Sequence, residues 1–72
     1  MVTKKIKTYR FVGSIKQEVL ANLIGVTLTT YCNKENGKTE FTLKEAKTLA
    51  DFFGTTIDDL FFNPSVNFPN TV

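Results

Sequence analysis

The chain has 72 residues, 42% of them hydrophobic, with seven Phe, one Cys and neither His nor Trp. This bounds it to one small packed domain and sets aside a disordered chain, a membrane span and a disulfide scaffold. Formal net charge is only +2, yet residues 1–38 carry seven basic against two acidic groups and residues 39–72 carry two against five. That asymmetry fits a nucleic-acid face set opposite a protein face, and fits an ordinary short chain equally well.

In chain order, five helical segments are expected, with no repeat or internal linker between them. The first covers about residues 3–12, with Ile6, Tyr9 and Val2 on one face. Gly13 ends it and Ser14 can cap the next helix. The second covers about 16–24, with Val19 or Leu20, Leu23 and Ile24 as its apolar set. Gly25 supplies a left-handed residue for a sharp turn. Thr27 is the N-cap of a third helix at about 28–34, closed by Glu35, Asn36 and Gly37. Thr42 with Glu45 reads as a capping box for a fourth at 43–53, whose stripe is Leu43, Ala46, Leu49, Ala50 and Phe53. Thr56 with Asp59 repeats the pattern for a short fifth helix at 57–62, ended by Asn63 and Pro64. The domain is thus expected over residues 1–62, with 63–72 an extended or frayed tail.

Residues 17–35 carry the functional signal. Two short helices joined by a tight turn must cross at about 90–120°. Their backbones approach closely, so one contact residue must be small, and Ala21 is that residue. Gly25 takes the turn, while Leu20, Ile24, Val26 and Tyr31 wedge into the angle. The second helix of such a unit presents its N-terminal residues to the major groove.

On these residues, with Ile6, Arg10, the Leu49–Ala50 pair and Asp59, Leu60 and Phe61 in register, the chain resembles the Cro/CI (Xre-type) repressor family. The resemblance runs from about Ile6 to Phe61 and implies an all-α, compact five-helix domain of lambda-repressor-like helix-turn-helix type. It also implies an ion pair between Arg10 and Glu35, whose faces should meet. It implies a DNA-backbone contact at Gln17 and base-reading positions at Leu28, Thr29, Cys32 and Asn33. Lys16, Lys34 and Lys38 are further candidates for phosphate contact; Lys4, Lys5 and Lys7 either join them or form a solvated helix start.

The recognition positions depart from what base reading favours, which is Arg, Lys, Gln or Asn making paired contacts with base edges. Asn33 alone is of that kind. Leu28 can touch a thymine methyl and Thr29 can make one hydrogen bond. Lys34 replaces an apolar residue, so the end of the third helix is expected to be held less firmly. An exposed helix with apolar groups at i and i+4 also suits another helix. Phe61, Phe62, Val66 and Phe68 add apolar groups that either form a C-terminal protein interface or fold back on the core.

Two functions are compatible with these residues. One is a Cro-like repressor binding operator DNA through the third helix. The other, which the poor recognition face favours, is an antirepressor similar to the small modulator-of-repression (Mor) proteins of temperate phages of lactic-acid bacteria. By that resemblance it binds the N-terminal domain of a CI-type repressor, blocks its DNA-binding surface and tilts a lysis–lysogeny switch toward lytic growth. A homodimer is compatible with either. No enzyme is expected, since no His, metal cluster, phosphate loop or paired carboxylate is present to form a catalytic site, and no metal or other cofactor is expected. The first lysines have no apolar signal-peptide core behind them, and a lone thiol suits a reducing compartment, so a cytoplasmic protein in a phage-infected bacterial host is expected, with no membrane partner.

Overall fold

The computed structural model describes residues 3–62. Expectations for Val2, for the stop at Asn63 and Pro64, for the tail, and for Val66 and Phe68 within it lie outside the described residues. Within them the chain is all-helical, as expected: α1 (Lys4–Val12), α2 (Gln17–Ile24), α3 (Leu28–Glu35), α4 (Leu43–Phe53) and a closing π-helical turn, Asp58–Phe62.

Local chemistry accounts for most of these boundaries. Gly25 and Gly54 end α2 and α4 in the left-handed region, at φ 75° and 70°. Thr27 Oγ1 accepts from the Thr30 amide at 3.1 Å to start α3. At α4 the capping box is complete: the Glu45 amide donates to Thr42 Oγ1 at 3.1 Å, and the Thr42 amide donates to Glu45 Oε1 at 2.9 Å. The Asp59 amide donates to Thr56 Oγ1 at 3.1 Å, which opens the closing turn.

The turn between α1 and α2 is built differently from its expectation. Gly13 stays right-handed at φ −83°, and Ser14 takes the left-handed conformation at φ 55°. The residue before α2 is Lys16, extended and without a side-chain cap. Ser14 is therefore the turn residue and not the cap. A Cβ at Gly13 would lie 3.0 Å from Ile15 Cδ1, the far end of that side chain, so glycine gives Ile15 room there. Short polar side chains tolerate the left-handed region better than most.

The core gathers Ile6, Leu20, Ala21, Tyr31, Phe41, Ala46, Leu49, Ala50, Leu60 and Phe61. Two apolar expectations, Leu43 and Leu23, are corrected, and two open choices, Val19 or Leu20 on α2 and the place of Phe61, are decided. Leu43 is 69% exposed, because it is the first residue of α4 and the inward face starts at Ala46. Val19 and Leu23 are exposed, because eight-residue α2 crosses its neighbours on the edge formed by Leu20, Ala21 and half-buried Ile24. Phe61 is fully buried, its ring 5.3 Å from that of Phe41, so it belongs to the core and not to an interface. The wide π turn places Leu60 and Phe61 inward together and leaves Phe62 outside, 51% exposed.

Gly25 offers a clean measurement of the helix-turn-helix geometry. A Cβ at Gly25 would meet nothing within 4 Å, so Gly25→Ala changes the backbone preference alone. It is expected to lose about 1–2 kcal/mol, the cost of a left-handed L-residue, and Gly25→Asn less. Urea unfolding of the three proteins reads this out; equal stabilities would mean that residue 25 does not adopt φ near 75°.

Candidate nucleic-acid interface

The site is assembled from the α2–α3 unit. Ala21, buried on α2, lets the two helices approach, and the Val26 amide donates to its carbonyl at 3.0 Å across the Gly25 turn. Tyr31 faces inward from α3, packed edge-on against Phe41 with ring centroids 5.9 Å apart. This leaves Leu28 and Thr29 on the outer side, where Leu28 is 47% exposed. Thr30 is half-buried, with its hydroxyl on that of Thr27 at 2.9 Å.

Behind α3 lies a buried polar hub. The Glu35 side chain is 1% exposed and accepts four hydrogen bonds. Arg10 donates from Nε at 3.1 Å and from Nη2 at 3.1 Å, Gln17 Nε2 donates at 2.9 Å, and the Tyr31 hydroxyl donates at 2.7 Å. Arg10 Nη1 also donates to the Ile15 carbonyl at 3.2 Å, so one guanidinium ties α1 to α3 and to the turn before α2. Burial pushes the Glu35 carboxyl up, but the hydrogen bonds from Arg10, Tyr31 and Gln17 and the guanidinium charge outweigh it. The net result is a carboxyl held below its ordinary value. Tyr31 moves the other way: burial, then the bond to the Glu35 carboxylate, pushes its hydroxyl far above the usual tyrosine value.

The residues expected to meet a ligand separate into two groups. Leu28, Thr29, Lys16 and Lys38 are exposed. Gln17, Cys32 and Asn33 are half-buried. The Gln17 amide faces inward at both ends: its nitrogen is on Glu35, and its oxygen accepts the Cys32 thiol at 3.2 Å. The Asn33 carbonyl takes the amides of Lys38 at 2.9 Å and Thr39 at 3.4 Å as α3 ends.

Lys34 is corrected outright. It is buried, its Nζ donating to the Glu40 carbonyl at 2.9 Å and lying 3.0 Å from Glu45 Oε1 and 5.9 Å from the centre of the Phe41 ring. Far from loosening α3, it fastens the end of that helix to the capping box of α4. Burial pushes the Glu45 carboxyl up, but the Thr42 amide and the Lys34 ammonium together bring it below its ordinary value. Lys34 therefore has no ammonium to offer a phosphate.

Two functional connections have no place in the sequence expectations. Tyr31 is a member of the hub, and its position four residues before Glu35 on one helix face is the signal for it. The Lys34–Glu45 tie has no local signal. Among the described residues no helix is long and apolar enough to cross a membrane, and no group of three His, Cys, Asp or Glu side chains is placed to hold a metal ion.

The family model described as helix-turn-helix matches residues 13–60. Over 57 residues the chain is 42% identical to an uncharacterised protein named as an HTH-type transcriptional regulator from Methanocaldococcus jannaschii, covering 79% of this chain and 86% of the relative. No solved structure matches the chain. The buried hub behind a turn-linked helix pair, the matched span and this relative together place the chain in the Cro/CI-type helix-turn-helix family of transcriptional regulators.

Proposed function

We propose that the chain regulates transcription by binding operator DNA, with α3 entering the major groove. The observation that carries this reading is the outer face of α3, open at Leu28 and Thr29 while the Glu35 hub holds the helix from behind. Exposed Lys16 adjoins Gln17, whose side chain touches the middle of α3, and exposed Lys38 is bonded to its last turn. These two lysines are the phosphate contacts, and they set affinity and register. Gln17 acts here as a positioning residue, its amide bonded to Glu35 through one of its two N–H groups and to Cys32 through its oxygen, which leaves the second N–H for a phosphate. The family is typically non-enzymatic.

Titrating the protein by fluorescence anisotropy on duplexes selected from a random pool tests this. Binding should weaken steeply with salt, and Lys16→Ala and Lys38→Ala should each reduce the slope of log K against log salt by about 1. Absence of duplex binding at low salt would overturn the proposal.

Exposed Leu28 at the head of α3, with Lys34 withdrawn from the surface, favours a second reading. In it the chain is an antirepressor whose α3 docks on the N-terminal domain of a CI-type phage repressor and covers its DNA-binding surface, tilting the switch toward lytic growth. This reading expects tight binding to that domain, lost in Leu28→Asp, together with weak, sequence-indifferent binding to DNA.

A further inference from the structure

We infer that the recognition helix reads its operator mainly through thymine 5-methyl groups, with Leu28 as the residue that senses them. The inference rests on the DNA-binding reading above and names the feature of the DNA that α3 selects.

Several of the polar side chains of α2 and α3 are bonded within the protein. The Gln17 amide is engaged at both ends, by Glu35 and by the Cys32 thiol. That same bond turns the Cys32 sulfur toward α2. The Thr30 hydroxyl meets that of Thr27, and the Lys34 ammonium lies against Glu40 and Glu45. The long donors that make paired contacts with guanine or adenine edges are thus either absent from the head of α3 or held inside. The exposed groups there are an isobutyl group, on Leu28, and a hydroxyl with a methyl, on Thr29.

In the major groove one base carries an apolar mark, the 5-methyl of thymine, and apolar side chains recognise it by contact. Leu28 is the first residue of α3, the part of a recognition helix that approaches base edges most closely. Half its surface lies open, so its burial against a methyl group adds favourable contact without disturbing the core. The Thr29 hydroxyl supplies one hydrogen bond, which any of several bases satisfies, so it orients more than it discriminates. The half-buried Asn33 lies at the sixth position of the helix, beyond its first turn.

The test removes the methyl and nothing else. The duplex recovered by selection with the full chain is resynthesised with deoxyuridine in place of one thymidine at a time, keeping every base pair. At the thymine or thymines under Leu28, affinity should fall about fourfold, the effect of about 0.8 kcal/mol per buried carbon at 1.4 kcal/mol per tenfold. Deoxyuridine elsewhere should change nothing. In Leu28→Ala the same substitutions should have under half that effect, which makes the loss a coupling between this side chain and that methyl. Thermal unfolding of Leu28→Ala should match the wild type, since the side chain lies outside the core.

Tight, selective binding that is indifferent to uracil at every position overturns the inference and leaves the DNA-binding reading intact. Methyl sensitivity that persists unchanged in Leu28→Ala also overturns it, because another residue would then be the sensor. Failure of the pool to yield any preferred duplex removes the operator-binding reading and this inference with it.

Discussion

Arg10→Met is expected to lose about 3–5 kcal/mol of stability at neutral pH, the cost of leaving a buried charge without its partner. A domain of this size holds about 4–11 kcal/mol at about 0.05–0.15 kcal/mol per residue, so the loss takes from about a third to all of its stability. The reason lies in the Glu35 hub. The carboxylate is 1% exposed, and Arg10 supplies two of its four hydrogen bonds and its counter-charge. Methionine keeps the packing of the stem and removes only the charge and its donors. The pH dependence separates this cause from a general packing defect. In the wild type Glu35 is held below the ordinary carboxylate value of 4.5, so its contribution is complete above that pH and is lost as pH falls through the depressed folded value. In Arg10→Met the same carboxyl loses two hydrogen bonds and its counter-charge, so it rises relative to the wild type and the penalty is relieved as pH falls. The stability gap between the two proteins should therefore narrow toward acid. Glu45 titrates in both proteins and drops out of the difference. A gap that stays constant from pH 7 to pH 4 would mean that the lost stability is packing and not charge.

The alkaline limb carries the opposite sign. Tyr31 is pushed up by burial and by its bond to Glu35, so its contribution is complete below the unfolded value of 10 and is lost as pH rises beyond it. Tyr31→Phe keeps the ring against Phe41 and should flatten that limb.

Much of this architecture is legible one element at a time, because its determinants are local. Gly25 and Gly54 stop helices by a conformation that glycine adopts without strain, and Thr27 and Thr42 start them with a hydroxyl three residues from its donor. The α1–α2 turn is not legible in this way. Gly13 and Ser14 are both credible turn residues, and only the folded backbone puts the left-handed conformation at Ser14. Long polar side chains are the other gap. Sequence spacing says that Lys34 and Gln17 sit near the recognition helix, but not whether they face water. Lys34 reaches inward because a backbone carbonyl and a carboxylate from a different segment meet there, at Glu40 and Glu45. Gln17 does so because Cys32 and Glu35, one turn apart on α3, present a donor and an acceptor at the two ends of its amide. Sparse base-reading chemistry is visible from Leu28 and Thr29 alone; its further reduction by internal bonding needs the tertiary arrangement.

The adjoining aromatics Phe61 and Phe62 differ for the same tertiary reason. Both are phenylalanines at the end of one apolar run, and in sequence only the register of Phe61 with the family sets it apart from Phe62. The π-helical turn separates them: Phe61 is fully buried against Phe41, which itself packs on Tyr31, and Phe62 is half open to water. Phe61→Ala should cost about 3–5 kcal/mol through lost burial and the cavity left in a core this small. Phe62→Ala should stay within about 1 kcal/mol, as partly exposed positions usually do. The loss at Phe61 should also couple to function, because the cavity would open beneath Phe41 and Tyr31, and Tyr31 positions Glu35 and thereby Gln17 and α3. At a temperature where Phe61→Ala remains folded, its affinity for the selected duplex should fall while Phe62→Ala binds as the wild type does. Urea unfolding and the same anisotropy titration read both effects. Equal stability losses at the two positions would mean that residues 58–62 do not form the inward-facing turn. A destabilised Phe61→Ala that binds DNA at full strength would uncouple the aromatic core from the recognition helix.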